Sequence, residues 1–303
     1  MKLYAPGYYT AFACIADKCR HSCCIGWERD IDENTAKRYG DLPDHGYGTE
    51  IKNSIDTEGT PHFVLENSGR CPHLDAHGLC RIITELGEGH LCDICREHPR
   101  FYNNTPHGME AGLGMACEEA CRIILSSDKY SDIIQIGEIS GIKESGEFNS
   151  ILQREKIYSK LADRSVPYSV RLDWIGKEYS IALSAMPDSY WKELMHSLEY
   201  LDDAHKGLFS NYSSDPQKPE IFERWLERAL AYFIYRHCSG AYSRDEFRSA
   251  LGFGLFCERL LASSAKAEGI CNAGGIMELA RIVSEELEYS EDNTEAIRSE
   301  FMF

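Results

Sequence analysis

Positive charge and long apolar runs are what this 303-residue chain has least of. Lys and Arg total 32 against 49 Asp and Glu, for a formal net charge of −17. A phosphate-binding surface needs clustered cations to release counterions, so nucleic acid is excluded as a default partner. A basic or Lys-rich protein suits the field of the chain better. The most apolar stretches, 231–235 and 250–257, fall far short of the ~20 residues that cross a bilayer, and no membrane partner is expected. Pro6 and Gly7 interrupt the opening residues where an export signal needs a continuous apolar core, so the chain is expected to be cytoplasmic. Nucleotide signatures are missing too. Neither G-x-G-x-x-G nor G-x4-G-K-[ST] occurs, and no G-x-S-x-G or H-E-x-x-H is present.

What the chain has in excess is cysteine. Ten of its 13 cysteines lie between Cys14 and Cys121, and eight of its 11 histidines precede residue 122. In a reducing compartment such a cluster reads as metal ligation or redox chemistry rather than disulfides. The spacing is Cys14-x4-Cys19-x3-Cys23-Cys24, then Cys71-x8-Cys80-x11-Cys92-x2-Cys95, then Cys117-x3-Cys121. On a helix, i and i+4 share a face, so Cys19/Cys23 and Cys117/Cys121 can each present two sulfurs to one centre. Cys92-x2-Cys95 has the short-turn spacing of zinc knuckles and iron–sulfur loops. All ten are candidate ligands. They exceed the four of a single site, which leaves two centres or several unligated thiols, and soft thiolates suit zinc and iron–sulfur alike. Cys238, Cys257 and Cys271 read as small buried hydrophobes.

The pattern divides the chain at about residue 125. Residues 1–125 show short helices, loops and turn signals at 43–46, 58–61, 67–69 and 103–106, with a strand at 60–66 that predicts a small hairpin. Little core is available there, and metal ligation would supply the missing stability. Residues 126–303 carry helical periodicity at 151–161, 190–205, 219–235, from the capping box Ser243-Arg-Asp-Glu246 onward, at 275–287 and at 292–301. The fold class is therefore mainly α, a cysteine-rich metal-binding segment packed on a C-terminal helical domain, with no strand–helix alternation to build a doubly wound sheet.

Other candidate chemistry is sparser. Gly112 and Gly114 precede the helix opened by Cys117, so they either admit a ligand carboxylate or phosphate to the backbone or simply form a tight turn. Arg100 could hold a carboxylate bidentately or offset nearby thiolates, and His98 could be a ligand, an acid/base or a structural loop residue. The run from Glu28 to Glu33 reads as a solvated helix entry that could also attract lysine.

Four blocks, Cys14 to Glu28, Arg70 to Cys80, Leu91 to Phe101 and Gly112 to Arg122, together resemble the flagellin lysine-N-methylase family, which sits within a wider group of bacterial cysteine-cluster proteins. The resemblance covers about the first 125 residues. It implies methyl transfer from S-adenosylmethionine to lysine ε-amino groups of flagellin or another Lys-bearing protein, with an iron–sulfur cluster of the four-iron four-sulfur type. An open iron position that binds the donor would make a Rossmann turn unnecessary. Cys19-x3-Cys23-Cys24 departs from the C-x3-C-x2-C of radical enzymes, so a polar transfer is expected. Such a transfer needs a neutral amine, and Glu97, Glu118, Glu119 or a Tyr are candidate bases. The competing expectation is a zinc-stabilised binding module with no methyltransferase activity.

Overall fold

A computed structural model describes residues 1–27, 29–105, 108–140, 148–215 and 222–302. The described residues form thirteen α-helices and six short strands, the mainly α class that the periodicity predicts. Two compact units result, one of Ala13–Arg100 and one of Met1–Phe12 with Phe101–Phe303. The division differs from the one expected near residue 125. The segment 101–125 builds strands and a helix whose apolar faces are buried in the core of the second unit, so it belongs there.

Ala13–Arg100 contains α1 (Glu33–Gly40), α2 (Tyr47–Asn53), α3 (Arg81–Leu86) and α4 (Asp93–Glu97). The expected hairpin is present as β2 (Ile55–Asp56) antiparallel to β3 (His62–Phe63). Its core is small: Ile31, Tyr39, Tyr47, Ile51, Phe63, Ile82 and Leu91 gather with Cys92, and Cys80 and Cys95 pack against them. Asp32 organises one side of it, accepting from Thr35 N–H at 2.9 Å to cap α1 and from Asp93 N–H at 2.9 Å to fix the start of α4.

The second unit begins with a four-stranded sheet in the order β4-β5-β1-β6, which the sequence reading did not anticipate. Here β1 is Lys2–Pro6, β4 is Arg100–Thr105, β5 is Gly108–Leu113 and β6 is Ile133–Glu138. β1 pairs in parallel with β5 and antiparallel with β6. Nine helices accompany it: α5 (Glu118–Ser126), α6 (Ser150–Ala162), α7 (Tyr168–Tyr179), α8 (Asp188–Ser197), α9 (Ala204–Phe209), α10 (Glu223–Cys238), α11 (Arg244–Ala267), α12 (Ala273–Glu288) and α13 (Glu291–Ser299). The single helix expected at 190–205 is two, α8 and α9, and the expected start at 219 lies outside the described residues. The capping box at Ser243 holds, its Oγ accepting from Glu246 N–H at 3.1 Å. α11 is buried along most of its length and lies close to α10, where a Cβ on Gly254 would sit 3.3 Å from Cβ of Phe233. No helix among the described residues is long and apolar enough to cross a membrane.

Candidate metal centre

Eight of the ten clustered cysteines fall in the unit Ala13–Arg100: Cys14, Cys19, Cys23, Cys24, Cys71, Cys80, Cys92 and Cys95. Backbone pairing draws their blocks together. Cys71 N–H donates to the Cys24 carbonyl at 2.8 Å and Gly26 N–H to the Gly69 carbonyl at 2.8 Å, flanking an antiparallel bridge between Ile25 and Arg70. The eight residues between Cys71 and Cys80 form a closed loop. Asp75 Oδ1 accepts from the N–H groups of His77 and Leu79, each at 2.8 Å, and Gly78 takes the left-handed conformation that the turn requires. The chain thereby returns to bridge Leu74 with Cys80.

Cys80 and Cys92 each stand immediately before a short helix, α3 and α4. Cys19 closes the 3-10 turn Ala16–Lys18. Cys23 and Cys24 share one hydrogen bond between their sulfurs, as do Cys92 and Cys95, so in each pair one thiol is held down and its neighbour up. Burial pushes the Cys71 thiol up to about 11.

Seven cysteines lie within electrostatic reach of one another as a linked set. Cys14 acts on Cys23, Cys24 on Cys71, Cys80 and Cys95, and Cys80 responds to Cys92. Arg29, which is buried, acts on Cys23, Cys24, Cys71 and Cys95. Nothing in the sequence singles out this arginine, because an Arg beside acidic residues reads as surface. Its charge favours thiolate over thiol in the set, the form that binds metal.

The donor set is soft, sulfur-rich and cationically compensated, which fits either metal. His73, inside the second cysteine block, is not free to ligate: Tyr47 Oη lies 3.0 Å from Nδ1 and Ser54 Oγ 2.9 Å from Nε2.

The remaining predicted residues lie elsewhere. Cys117 and Cys121 belong to the other unit. Cys121 is buried in its core, with Sγ donating to the Met277 carbonyl at 3.2 Å and burial pushing its thiol well up. Gly112 is accounted for by packing, because a Cβ there would meet the Phe101 ring at 2.2 Å, while Gly114 accepts from Cys117 N–H in a turn at 3.3 Å. Arg100 opens β4. Of the proposed bases, Glu119 is clamped by Arg122 at 2.6 and 2.7 Å, and Glu97 sits 3.4 Å from Arg96 on the surface. Cys238 and Cys257 are buried as expected, whereas Cys271 is exposed.

Fold and cysteine set together define a two-unit protein carrying a sulfur-lined candidate metal centre. Over 160 residues the chain is 28% identical to the flagellar biosynthetic protein FliU of Salmonella muenchen, covering 51% of this chain and 93% of that protein. It is 30% identical over 135 residues to the lysine-N-methylase of Salmonella typhimurium LT2, covering 40% of this chain and 32% of the relative, and matches the lysine-N-methylase of Salmonella choleraesuis to the same extent. No family model and no solved structure matches it. The chain is thus related to the lysine-N-methylases, and the matched stretch spans about a third of their length.

Proposed function

We propose that this chain is a protein lysine N-methyltransferase that takes its methyl group from S-adenosylmethionine and carries an iron–sulfur cluster in the unit Ala13–Arg100. The observation that carries the reading is the connected set of seven cysteines around buried Arg29, in a chain related to lysine-N-methylases. Three of Cys24, Cys71, Cys80, Cys92 and Cys95 would hold the cluster and leave one iron open, since each of the five is electrostatically linked to at least one of the others. When bound, the cluster would supply an iron able to take the donor's amino and carboxylate groups. The acidic surface of the chain favours approach of a Lys-bearing protein, with flagellin as the preferred substrate. The attacking amine must be neutral, so the site has to strip water or a proton from an ammonium whose ordinary pKa is about 10.4.

The test is methyl transfer by anaerobically purified protein. Flagellin is incubated with S-adenosylmethionine and its lysines are read by mass spectrometry, with Cys92→Ser and Cys95→Ser as controls. The expected outcome is methylated lysine with the parent protein and loss of at least about a hundredfold in each variant, the scale on which disturbing a metal site acts. Full cluster loading with no methyl transfer to flagellin or to a panel of lysine-bearing proteins would contradict the enzymatic reading.

A further inference from the structure

A cavity of about 380 Å³ opens within the unit of Met1–Phe12 and Phe101–Phe303, and its lining includes Phe101, Asn103, Arg236, His237, Glu246 and Arg298. It lies in the size range of small-molecule sites, about 300 to 1,000 Å³. Several of these side chains are fixed by their surroundings. Buried Glu288 accepts from His237 Nε2 at 2.6 Å and from the Tyr232 hydroxyl at 2.9 Å. Arg236 Nε lies 3.3 Å from the same carboxylate, and its guanidinium is stacked over Phe101 at 4.8 Å and Tyr289 at 5.2 Å. The Asn103 amide donates to the Arg236 carbonyl at 2.7 Å.

Three functional groups remain uncommitted. With its Nε2 proton given to Glu288, His237 keeps a lone pair on Nδ1, which has no hydrogen-bond partner among the described residues. Burial holds the His237 imidazole below its ordinary value, so the ring is neutral. The half-buried Arg298 guanidinium makes no hydrogen bond or ion pair among the described residues. Glu246 accepts from Tyr242 N–H through Oε2 at 2.8 Å, and its Oε1 has no hydrogen-bond partner among the described residues.

An unpaired cation, a lone-pair acceptor and an open carboxylate in one cavity are complementary to a ligand bearing a carboxylate with an ammonium beside it. We propose that this cavity binds an α-amino-acid head group, its carboxylate on Arg298 and its ammonium on His237 Nδ1 and Glu246, with the side chain against Phe101. Inorganic phosphate would satisfy Arg298 but would face the Nδ1 lone pair and the Glu246 carboxylate. A simple alkylamine would meet two arginines. The head group is that of a free amino acid, because the methylase reading gives the donor's own amino and carboxylate groups to the cluster iron.

The test is calorimetric titration of the full chain with L-methionine, S-adenosylmethionine, inorganic phosphate and butylamine, in the parent protein and in Arg298→Ala and Glu246→Gln. Arg298 has no partner to lose, so its variant should melt with the parent. Binding of L-methionine that weakens about tenfold or more in both variants supports the proposal. Binding of S-adenosylmethionine, phosphate or butylamine without methionine, binding of no probe, or methionine binding that Arg298→Ala leaves unchanged overturns it. Because the titration reads binding and no methyl transfer, the proposal can fail while the methylase reading stands, and the reverse.

Discussion

Asp128 accepts from Arg228 at 2.9 Å, Arg224 at 2.6 Å and Arg164 at 2.8 Å, and these donors, Arg228 first, hold its carboxyl well below the usual carboxylate range. A depressed native pKa contributes stability that is present above the unfolded value of about 3.9 and is lost as pH falls through the native one. The parent protein should therefore melt above Asp128→Asn at neutral pH, and the two melting curves should converge as the pH is lowered below that of ordinary carboxylates. Asp128 is half-exposed, so the gap is modest and shrinks with added salt. The pair of Arg154 and Glu110 is the opposite case, buried on both sides and joined at 2.5 and 2.7 Å. Arg154→Met leaves Glu110 buried without its cation, and denaturant unfolding should show a loss of about 3 to 5 kcal/mol. At Gly112 the expectation is steric. Gly112→Ala drives a Cβ into the Phe101 ring and should cost about 1 to 3 kcal/mol of stability, whereas a glycine kept only for ligand approach would lose affinity with stability intact.

Among the elements, helix content was the most legible feature of the sequence. Long amphipathic runs announce themselves through apolar periodicity, and α6, α10 to α13 and the Ser243 cap lie where that pattern puts them. The sheet was not legible. β1 and β5 are six residues or fewer, and β1 pairs with strands more than a hundred positions further on, a contact that no local window contains. The run 190–205 reads as one helix because its apolar spacing continues, but Leu198 leaves the helix and Asn293 and Glu286 capture the backbone of Glu199 and Leu201. The cysteine spacing points to ten thiols, of which eight fall in Ala13–Arg100. Cys117 and Cys121, grouped with them by i, i+4 spacing and by the block Gly112 to Arg122, lie in the other unit, where Cys121 is packed into the core. Asp32 is the element-scale control on the metal centre. Asp32→Ala removes the cap of α1 and the acceptor at the start of α4, and should cost about 1 to 2 kcal/mol in a denaturant melt.

At the scale of the whole molecule, the two units differ in how they are stabilised. The unit containing α5 to α13 has a large apolar core, whereas Ala13–Arg100 buries eight residues in its main cluster and is held by capped turns. A segment so poor in core is the kind that metal ligation completes. The proposed iron–sulfur cluster on cysteines drawn from Cys24, Cys71, Cys80, Cys92 and Cys95 is tested by the iron, inorganic sulfide and zinc content of the anaerobically purified protein beside its visible absorption. Iron and sulfide at about four each per chain and a broad band that bleaches on reduction are expected. Zinc without sulfide under those conditions would contradict it and leave a zinc-stapled binding module in its place.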